Sequence, residues 1–357
     1  MKSTARQIKR LGGELPAFSD RLGAARPWQP NWLAFSHGRA AIAWLLERRA
    51  ARGALVCAYT CPTLPAFLRR RGLALAFYDI GASPGEIAAQ ARTLPAPRMV
   101  VIPALFGSRP LLRMEAVDSG DYILVDAAQS AFGHAEIAPP AGGAVLSCPR
   151  KAAALADGAV LSLAEGLGTS SETRELPPAV FPAAMKARAR ALWAGGDPAL
   201  EPEALSCNRR SEESWPDAPH RMSAASFASL GRIDRQWHES RRRRNREALA
   251  SALSGLALWA ADQGTPFNLP VFAADPKAVL AHLHRSRIFA SALWPDAELD
   301  ASRHPAAAWI ARHLVSLPVD QRHDEADMQR IAAAMAQLAA PPPGDPPASL
   351  RGFVTRR

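Results

Sequence analysis

Between residues 54 and 147 the chain alternates short, continuously apolar runs with helix-like segments. Strands that are apolar along their whole length are buried on both faces, which is typical of parallel sheets covered by helices. The segment 38–50 (GRAAIAWLLERRA) shows the helical type, with apolar residues three and four positions apart. The alternation predicts an α/β domain on a mainly parallel sheet. The predicted strands are ALVCAY (54–59), LALAFYDI (73–80), MVVIPAL (99–105), YILVD (122–126) and GAVLS (143–147).

The pattern changes after about residue 165, where prolines and loop-like stretches precede one long helical segment from Ser223 to Leu253. A second, shorter α/β pattern begins near Pro266. A chain of this length is typically divided into two domains. We therefore predict an N-terminal arm (1–30), a large domain (31–205), an interdomain loop with the long helix and a small C-terminal α/β domain (206–340), and a disordered Pro-rich tail (341–357).

Lysine is rare in this chain, although the formal net charge is +10 and 43 residues are Lys or Arg. We attribute the arginine excess to genomic composition, so a lysine in a suggestive position carries more information than usual. The densest basic run, Arg241 to Arg244, lies in a charged helical stretch without interleaved aromatic residues. This pattern favours a solvated helix face over a nucleic-acid-binding patch. The lysines are Lys2, Lys9, Lys151, Lys186 and Lys277.

Several classes of partner and location are not indicated. The spacing of the four cysteines, Cys57, Cys61, Cys148 and Cys207, fits neither a zinc site nor a dense disulfide framework. The basic N-terminus is not followed by an apolar segment, and no apolar run approaches the roughly 18 residues of a membrane span. We expect a cytoplasmic protein with reduced thiols, no metal, and neither membrane nor nucleic acid as a partner.

Polar residues stand at strand ends, where ligands bind in α/β sheets. Asp126 ends the run YILVD, Lys151 closely follows GAVLS, and Gly38, Arg39 and Ala40 open the first helix. Alone, each is ambiguous, because an Asp after a strand is as often a cap or metal ligand. Their order is the one a pyridoxal phosphate (PLP) enzyme needs, with phosphate donors at a helix start, a carboxylate for the ring nitrogen and a lysine nucleophile.

The order and the residues of these segments resemble those of the DegT-type sugar aminotransferases, which have the aspartate aminotransferase fold. The similarity covers roughly residues 30–338 and depends on the joint order of the motifs. The similar segments are Ser36-His37-Gly38-Arg39-Ala40-Ala41-Ile42, Ala58-Tyr59-Thr60-Cys61-Pro62, Val125-Asp126-Ala127-Ala128-Gln129, Ser147 with Lys151, Ala156-Asp157-Gly158-Ala159, His220-Arg221-Met222-Ser223 and Val315-Ser316-Leu317-Pro318.

The resemblance implies a PLP-dependent transferase fold and a role for each matched residue. Lys151 would form the Schiff base with PLP, Asp126 would pair with the ring nitrogen, and Gln129 would contact the ring. Cys61 or Tyr59 would pack on the ring face. In the homodimer that is usual for the family, Arg221 would reach the partner's site. The residues that would hold the phosphate are Gly38, Arg39, Ala40 and Ser147.

The favoured function is transfer of an amino group, with glutamate the expected donor, to a keto-sugar nucleotide. Similar proteins commonly act in surface polysaccharide or amino-sugar synthesis. Three alternatives stay open: another PLP reaction on the same fold, a relative that has lost turnover, and nucleic-acid binding through the arginine-rich helix. Cys61 in place of the usual stacking aromatic, and Ala156 and Ala159 in place of turn glycines, motivate the second alternative.

Overall fold

A computed structural model describes residues 9–17, 19–113, 118–253, 255–260, 264–295 and 299–356. The arm contributes a short strand, β1 (Leu11–Gly12). The strands of the large domain are β2 (Trp32–Phe35), β3 (Gly53–Cys57), β4 (Ala74–Tyr78), β5 (Arg98–Pro103), β6 (Tyr122–Ala127), β7 (Ala144–Ser147) and β8 (Ala159–Leu163). Its helices are α1 (Gly38–Arg49), α2 (Thr63–Arg70), α3 (Pro84–Ala91), α4 (Gly133–Glu136), α5 (Pro149–Ala152), α6 (Val180–Gly195) and α7 (Glu201–Glu213).

The large sheet has the strand order β2-β8-β7-β6-β5-β3-β4. The five strands from β7 to β4 run parallel, whereas β8 is antiparallel to both of its neighbours. Apolar side chains cover both faces in two separate core clusters, as the continuous apolar runs require. The predicted mainly parallel, mixed sheet is confirmed, and its parallel strands point their carboxyl ends to one edge.

The connection from β5 to β6 is unusual, because parallel neighbours normally need a crossover helix. Its described part contains one tight turn, Leu105–Gly107, as its only helical element. Gly107 has a φ of +80°, and a Cβ added there would lie 2.1 Å from the Thr265 carbonyl oxygen. Only glycine tolerates both conditions, so this turn packs directly on the second domain.

The second domain is built around a four-stranded antiparallel sheet of order β12-β10-β9-β13. The arm joins this domain, because β1 pairs in parallel with β11. The elements are α8 (Ala224–Leu230), α9 (Arg235–Ala252), β9 (Ala257–Trp259), β10 (Asn268–Phe272), α10 (Pro276–Arg285), β11 (Ile288–Phe289), α11 (Pro305–His313), β12 (Leu314–Pro318), α12 (Glu325–Ala336) and β13 (Val354–Arg356).

The C-terminal tail corrects one prediction. Residues 341–357 were expected to be disordered because of their prolines. Instead, β13 pairs antiparallel with β9 and completes the small sheet. Leu350 is fully buried and Phe353 stacks on Trp259 with ring centroids 5.4 Å apart. Three apolar residues after the prolines are thus enough to anchor the segment.

Two predicted boundaries also shift. The single helix expected over 223–253 is two helices, α8 and α9, separated at Gly231, and Asp234 starts α9 by accepting a hydrogen bond from the Trp237 N–H at 3.0 Å. The boundary predicted at residue 205 falls inside α7, which packs against α6 as a helical hairpin. The chain therefore leaves the large domain after the hairpin, beyond Glu213.

Candidate active site

Side chains at the ends of three strands lie at the carboxyl edge of the large sheet. Cys61 follows β3, and Asp126 is the second-last residue of β6. Cys148 and Lys151 follow β7. Burial raises the pKa of the Cys148 thiol, and the charges of Lys151 and Arg150 oppose that shift. Asp126 and Cys61 act on the same thiol, so all of these groups lie within electrostatic range of one another.

Asp126 is half-buried. Its Oδ1 accepts a hydrogen bond from the Ala128 N–H at 3.0 Å. Desolvation raises the pKa of Asp126, and the charge of Lys151 is the main influence that lowers it. A further cation beside this carboxylate would stabilise its ionised form. A protonated ring nitrogen is such a cation, so Asp126 is suited to pair with it.

Lys151 sits on α5, a helical turn of four residues directly after β7. Its backbone N–H donates to the Cys148 carbonyl at 2.9 Å, and its side chain is exposed. Within the described parts of the chain, its ammonium group makes no ion pair or hydrogen bond. An exposed lysine whose amine is not held in an ion pair within the described chain is available to attack a carbonyl group.

Lys151 lines a cavity of about 540 Å³. The arm, the α6–α7 hairpin and the second domain form its other walls, so the cavity lies where the parts of the chain meet. A cavity of this size suits a cofactor with a small substrate. Its polar and aromatic lining includes Arg10, Glu14, Arg150, Lys186, Trp193, Glu212, Arg242, Asn268, Phe289 and Ser316.

The start of α1 lies beside this edge of the sheet. A Cβ added to Gly38 would come within 3.1 Å of the Cys148 sulfur, so glycine allows the helix start to approach the loop after β7. The Arg39 guanidinium is engaged elsewhere, because its Nε donates to Asp217 at 3.1 Å. Ala40 is fully buried, which leaves its backbone N–H as its polar group. The contribution of this segment to an anion site is therefore that of its backbone and helix dipole.

His37, the residue before α1, is a feature that the sequence did not single out. It is 2% exposed, its Nδ1 lies 3.0 Å from the Ser36 hydroxyl, and its buried Nε2 has no hydrogen-bond partner among the described residues. Burial lowers the pKa of His37 well below its usual value, and the cations Arg150 and Arg39 lower it further. An unsatisfied buried ring nitrogen near two guanidinium groups indicates a place for a polar group that carries negative charge.

Trp215 and Arg150 complete this end of the site. The Trp215 ring stacks on His37 with centroids 4.9 Å apart, and the Arg150 guanidinium lies 5.3 Å from the Trp215 ring centroid. Arg150 also pairs with Glu212 at 2.9 Å, while its buried Nε has no partner in the described chain. Arginine is so common in this chain that the sequence alone gives no reason to single out Arg150.

Ser147 and Gln129, both predicted to contact the cofactor, lie inside the core beside the site. The Ser147 hydroxyl is 2.7 Å from His134 Nδ1, so a phosphate would have to share it with that histidine. The Gln129 amide oxygen accepts from the Phe106 N–H at 2.5 Å and holds the turn after β5. The amide nitrogen of Gln129 is the group of this side chain that would donate a hydrogen bond to a ring hydroxyl.

The two candidates for packing on the ring face have different surroundings. Tyr59 is fully buried and donates its hydroxyl to the Leu293 carbonyl at 2.8 Å. Its ring contacts Trp294 in a tilted arrangement, with centroids 5.1 Å apart, and forms part of the core behind the cavity wall. Cys61 is partly exposed, with its sulfur 3.1 Å from the Thr63 hydroxyl. Of the two, Cys61 has the accessibility that contact with a cofactor requires.

Arg221 lies against its own chain. Its backbone bridges to Phe35 and Pro178, and the neighbouring His220 carbonyl accepts from the Ser36 N–H at 2.8 Å. The segment that follows α7 thus runs beside the start of α1 in the same protomer. A contribution of Arg221 to a partner's site stays a prediction.

No protein-family model and no curated protein matches the chain. Solved structures do. The chain is similar to a DegT DnrJ EryC1 StrS aminotransferase from Brucella abortus, at 15% identity and a TM-score of 0.56 over 86% of this chain and 85% of that one. It is similar to the sugar aminotransferase CalS13 from Micromonospora echinospora, at 14% identity and a TM-score of 0.56 over 86% and 87%. It is also similar to DesI, solved with its TDP-sugar product, at 19% identity and a TM-score of 0.54 over 90% and 81%.

These likenesses establish the fold. The chain has the architecture of DegT-type sugar aminotransferases, and the predicted fold class is confirmed. Among the described residues, no helix is both long and apolar enough to cross a membrane, and no group of three or more candidate ligands is placed to hold a metal. Function depends on the site and not on the fold, so the activity is argued from the residues above.

Proposed function

We propose that this protein is a PLP-dependent aminotransferase that passes an amino group, with glutamate as the donor, to a keto-sugar nucleotide. One observation carries the proposal: Asp126, near the end of β6, and Lys151, just after the neighbouring strand β7, stand at the same carboxyl edge of the sheet, and the Lys151 charge lowers the pKa of the desolvated Asp126. The fold by itself would not require this pair, which is the minimal set for holding and using PLP.

The residues present fit the cofactor. Asp126 would pair with the ring nitrogen, and Gln129 and Cys61 would lie beside the ring. The orphaned Nε2 of His37 and the free N–H groups at Gly38 would receive the phosphate. Arg150, whose Nε is also unsatisfied, would add positive charge at the same end.

The bound cofactor would supply an electron sink that stabilises negative charge on the substrate carbon. Lys151 would provide the attachment point and, once released, would carry a proton to and from that carbon as a general acid/base. Asp126 would keep the ring nitrogen protonated. The cavity walls would exclude bulk water and orient the second substrate.

The surroundings support an anionic substrate. Lysines and arginines outnumber carboxylates on the cavity wall; they are Arg10, Arg150, Lys151, Lys186 and Arg242. We propose that the protein works in the cytoplasm, in the synthesis of amino sugars for a surface polysaccharide. We further propose a homodimer in which the segment containing Arg221 reaches the second site.

The test is an absorbance spectrum of the purified protein mixed with PLP. We expect a visible band that glutamate bleaches and that a keto-sugar nucleotide restores. Bleaching by glutamate without any sugar acceptor would shift the assignment to another PLP reaction. A band that glutamate leaves unchanged would indicate a protein that has lost turnover, and the absence of any band would overturn the proposal.

A further inference from the structure

The helical turn that carries Lys151 is held from behind by an unusual set of donors. Because α5 has only four residues, its last carbonyl groups have no partner within the helix. The Ala152 carbonyl instead accepts three side-chain hydrogen bonds, from His238 Nε2 at 3.0 Å, Arg242 Nη2 at 3.0 Å and Gln321 Nε2 at 3.2 Å. This carbonyl belongs to the residue after Lys151. It accepts more hydrogen bonds than are needed to cap the end of a helix.

A second buried arginine holds the other side of the turn. Arg190, on α6, donates to the Arg150 carbonyl at 2.7 Å and to the Ala153 carbonyl at 3.1 Å. The Ala154 N–H donates to Asp20 at 2.6 Å. The backbone around Lys151 is therefore fixed by side chains from the arm, the helical hairpin and α9.

Arg242 also connects the turn to the second domain. It is 2% exposed, its Nε donates to Gln321 at 2.9 Å, and its Nη1 donates to the carbonyls of Pro266 at 3.0 Å and Phe267 at 2.9 Å. Burial lowers the pKa of Arg242 to about 10, so the guanidinium stays charged at neutral pH. Its planar guanidinium joins three separate segments of the chain at fixed angles, which a lysine could not do.

We infer that Arg242 is a positioning residue for Lys151: by fixing the Ala152 carbonyl against residues 266–267 and Gln321, it sets the orientation of α5 relative to Asp126. The inference rests on the proposed role of Lys151. Arg242 does not exchange a proton or touch the reacting atoms. Its effect on the lysine passes through one peptide group.

The test compares Arg242→Lys with Arg244→Lys, the same change on an exposed position of the same helix. In the apoprotein, competitive acetylation read by mass spectrometry gives the reactivity of Lys151 relative to the exposed Lys277. We expect this ratio to rise about threefold in Arg242→Lys, because a loosened turn lets the Lys151 side chain reach the reagent more often. Arg244→Lys should leave the ratio unchanged.

The second measurement uses PLP. We expect Arg242→Lys to bind PLP about tenfold more weakly, since hydrogen bonds to charged groups are among the strong ones. The pH midpoint of the visible band should also shift, which a mere loss of stability would not cause. If wild type binds no PLP, the proposed function fails, while the acetylation ratio still tests the positioning.

If Arg242→Lys does not fold, Gln321→Met removes one donor from the Ala152 carbonyl at similar volume, and we expect changes of the same sign but smaller size. A folded Arg242→Lys or Gln321→Met protein with the Lys151 ratio, PLP affinity and pH midpoint of Arg244→Lys would overturn the inference.

Discussion

Two lysines of this chain line the same cavity, and their surroundings differ sharply. Lys186 has a side chain only 3% exposed, and its ammonium is bound by Glu14, Asn208 and Glu212. Lys151 is exposed and, within the described chain, has no such partner. An amine held in ion pairs is not free to bond to a cofactor, so Lys186 is suited to structure and Lys151 to chemistry. Rarity in the sequence marks both lysines equally, and only the partners separate them.

The largest effect we expect is on covalent attachment of the cofactor. Borohydride reduction of the PLP-treated protein should fix the cofactor on Lys151, so Lys151→Ala should abolish the adduct. Lys186→Ala should retain it, because its amine lies in an ion-pair cluster. Peptide mass spectrometry identifies the modified residue. An adduct that persists in Lys151→Ala and is mapped to Lys186 would reverse the comparison.

Replacing Asp126 should have opposite effects on cofactor binding and on the stability of the apoprotein. We expect Asp126→Asn to weaken PLP binding about 10- to 100-fold, because the amide cannot pair with a protonated ring nitrogen. Desolvation raises the pKa of Asp126 in the folded state, so its ionised form opposes folding above the pKa of the unfolded chain. The apo variant should therefore be more stable than wild type at pH 7.

Fluorescence titration with PLP and thermal unfolding of the apoprotein measure the two effects. Asp118→Asn is the control, since Asp118 is an exposed carboxylate paired with Arg98. A lower melting temperature for apo Asp126→Asn would show that its burial is already compensated.

Removing the structural lysine should cost more stability than removing the catalytic one. Lys186→Met leaves Glu14 without its cation and leaves Glu212 paired with Arg150 alone. These side chains are 35% and 42% exposed, so water compensates part of the loss. We expect a decrease of about 1–2 kcal/mol in the free energy of unfolding. Lys151→Met should change it by about 0.5 kcal/mol or less. Urea unfolding of both apo variants tests the difference, and equal losses would contradict it.

The smallest effect concerns Glu212. Burial raises its pKa, but Arg150 and Lys186 outweigh this and bring the net pKa well below its usual value. Its stabilisation is therefore present above the unfolded pKa of about 4.3 and is lost as the pH falls further. Glu212→Gln should be less stable than wild type at pH 7, and the difference should shrink below about pH 4. A difference that does not depend on pH would exclude this ion pair as its cause.

The arginine run of α9 shows where prediction from sequence stopped. Arg241 to Arg244 were expected to form a solvated face. Arg244 is exposed as expected, but Arg242 is buried and Arg241 donates to the His323 carbonyl. Charge patterning describes the average face of a helix, and it does not reveal which carbonyl groups of distant segments will meet one of its side chains.

Local patterns alone determined much of this protein. Apolar runs specified buried parallel strands, because strand and helix periods are set by backbone geometry. Asp126 and Lys151 stood at strand ends, and parallel strands bring such ends to one edge. Only the tertiary structure decided which lysine lacks a carboxylate, why His37 is left with an unsatisfied nitrogen, and how Arg242 holds the turn of Lys151. Those properties depend on contacts between residues tens to hundreds of positions apart, whose geometry no local pattern records.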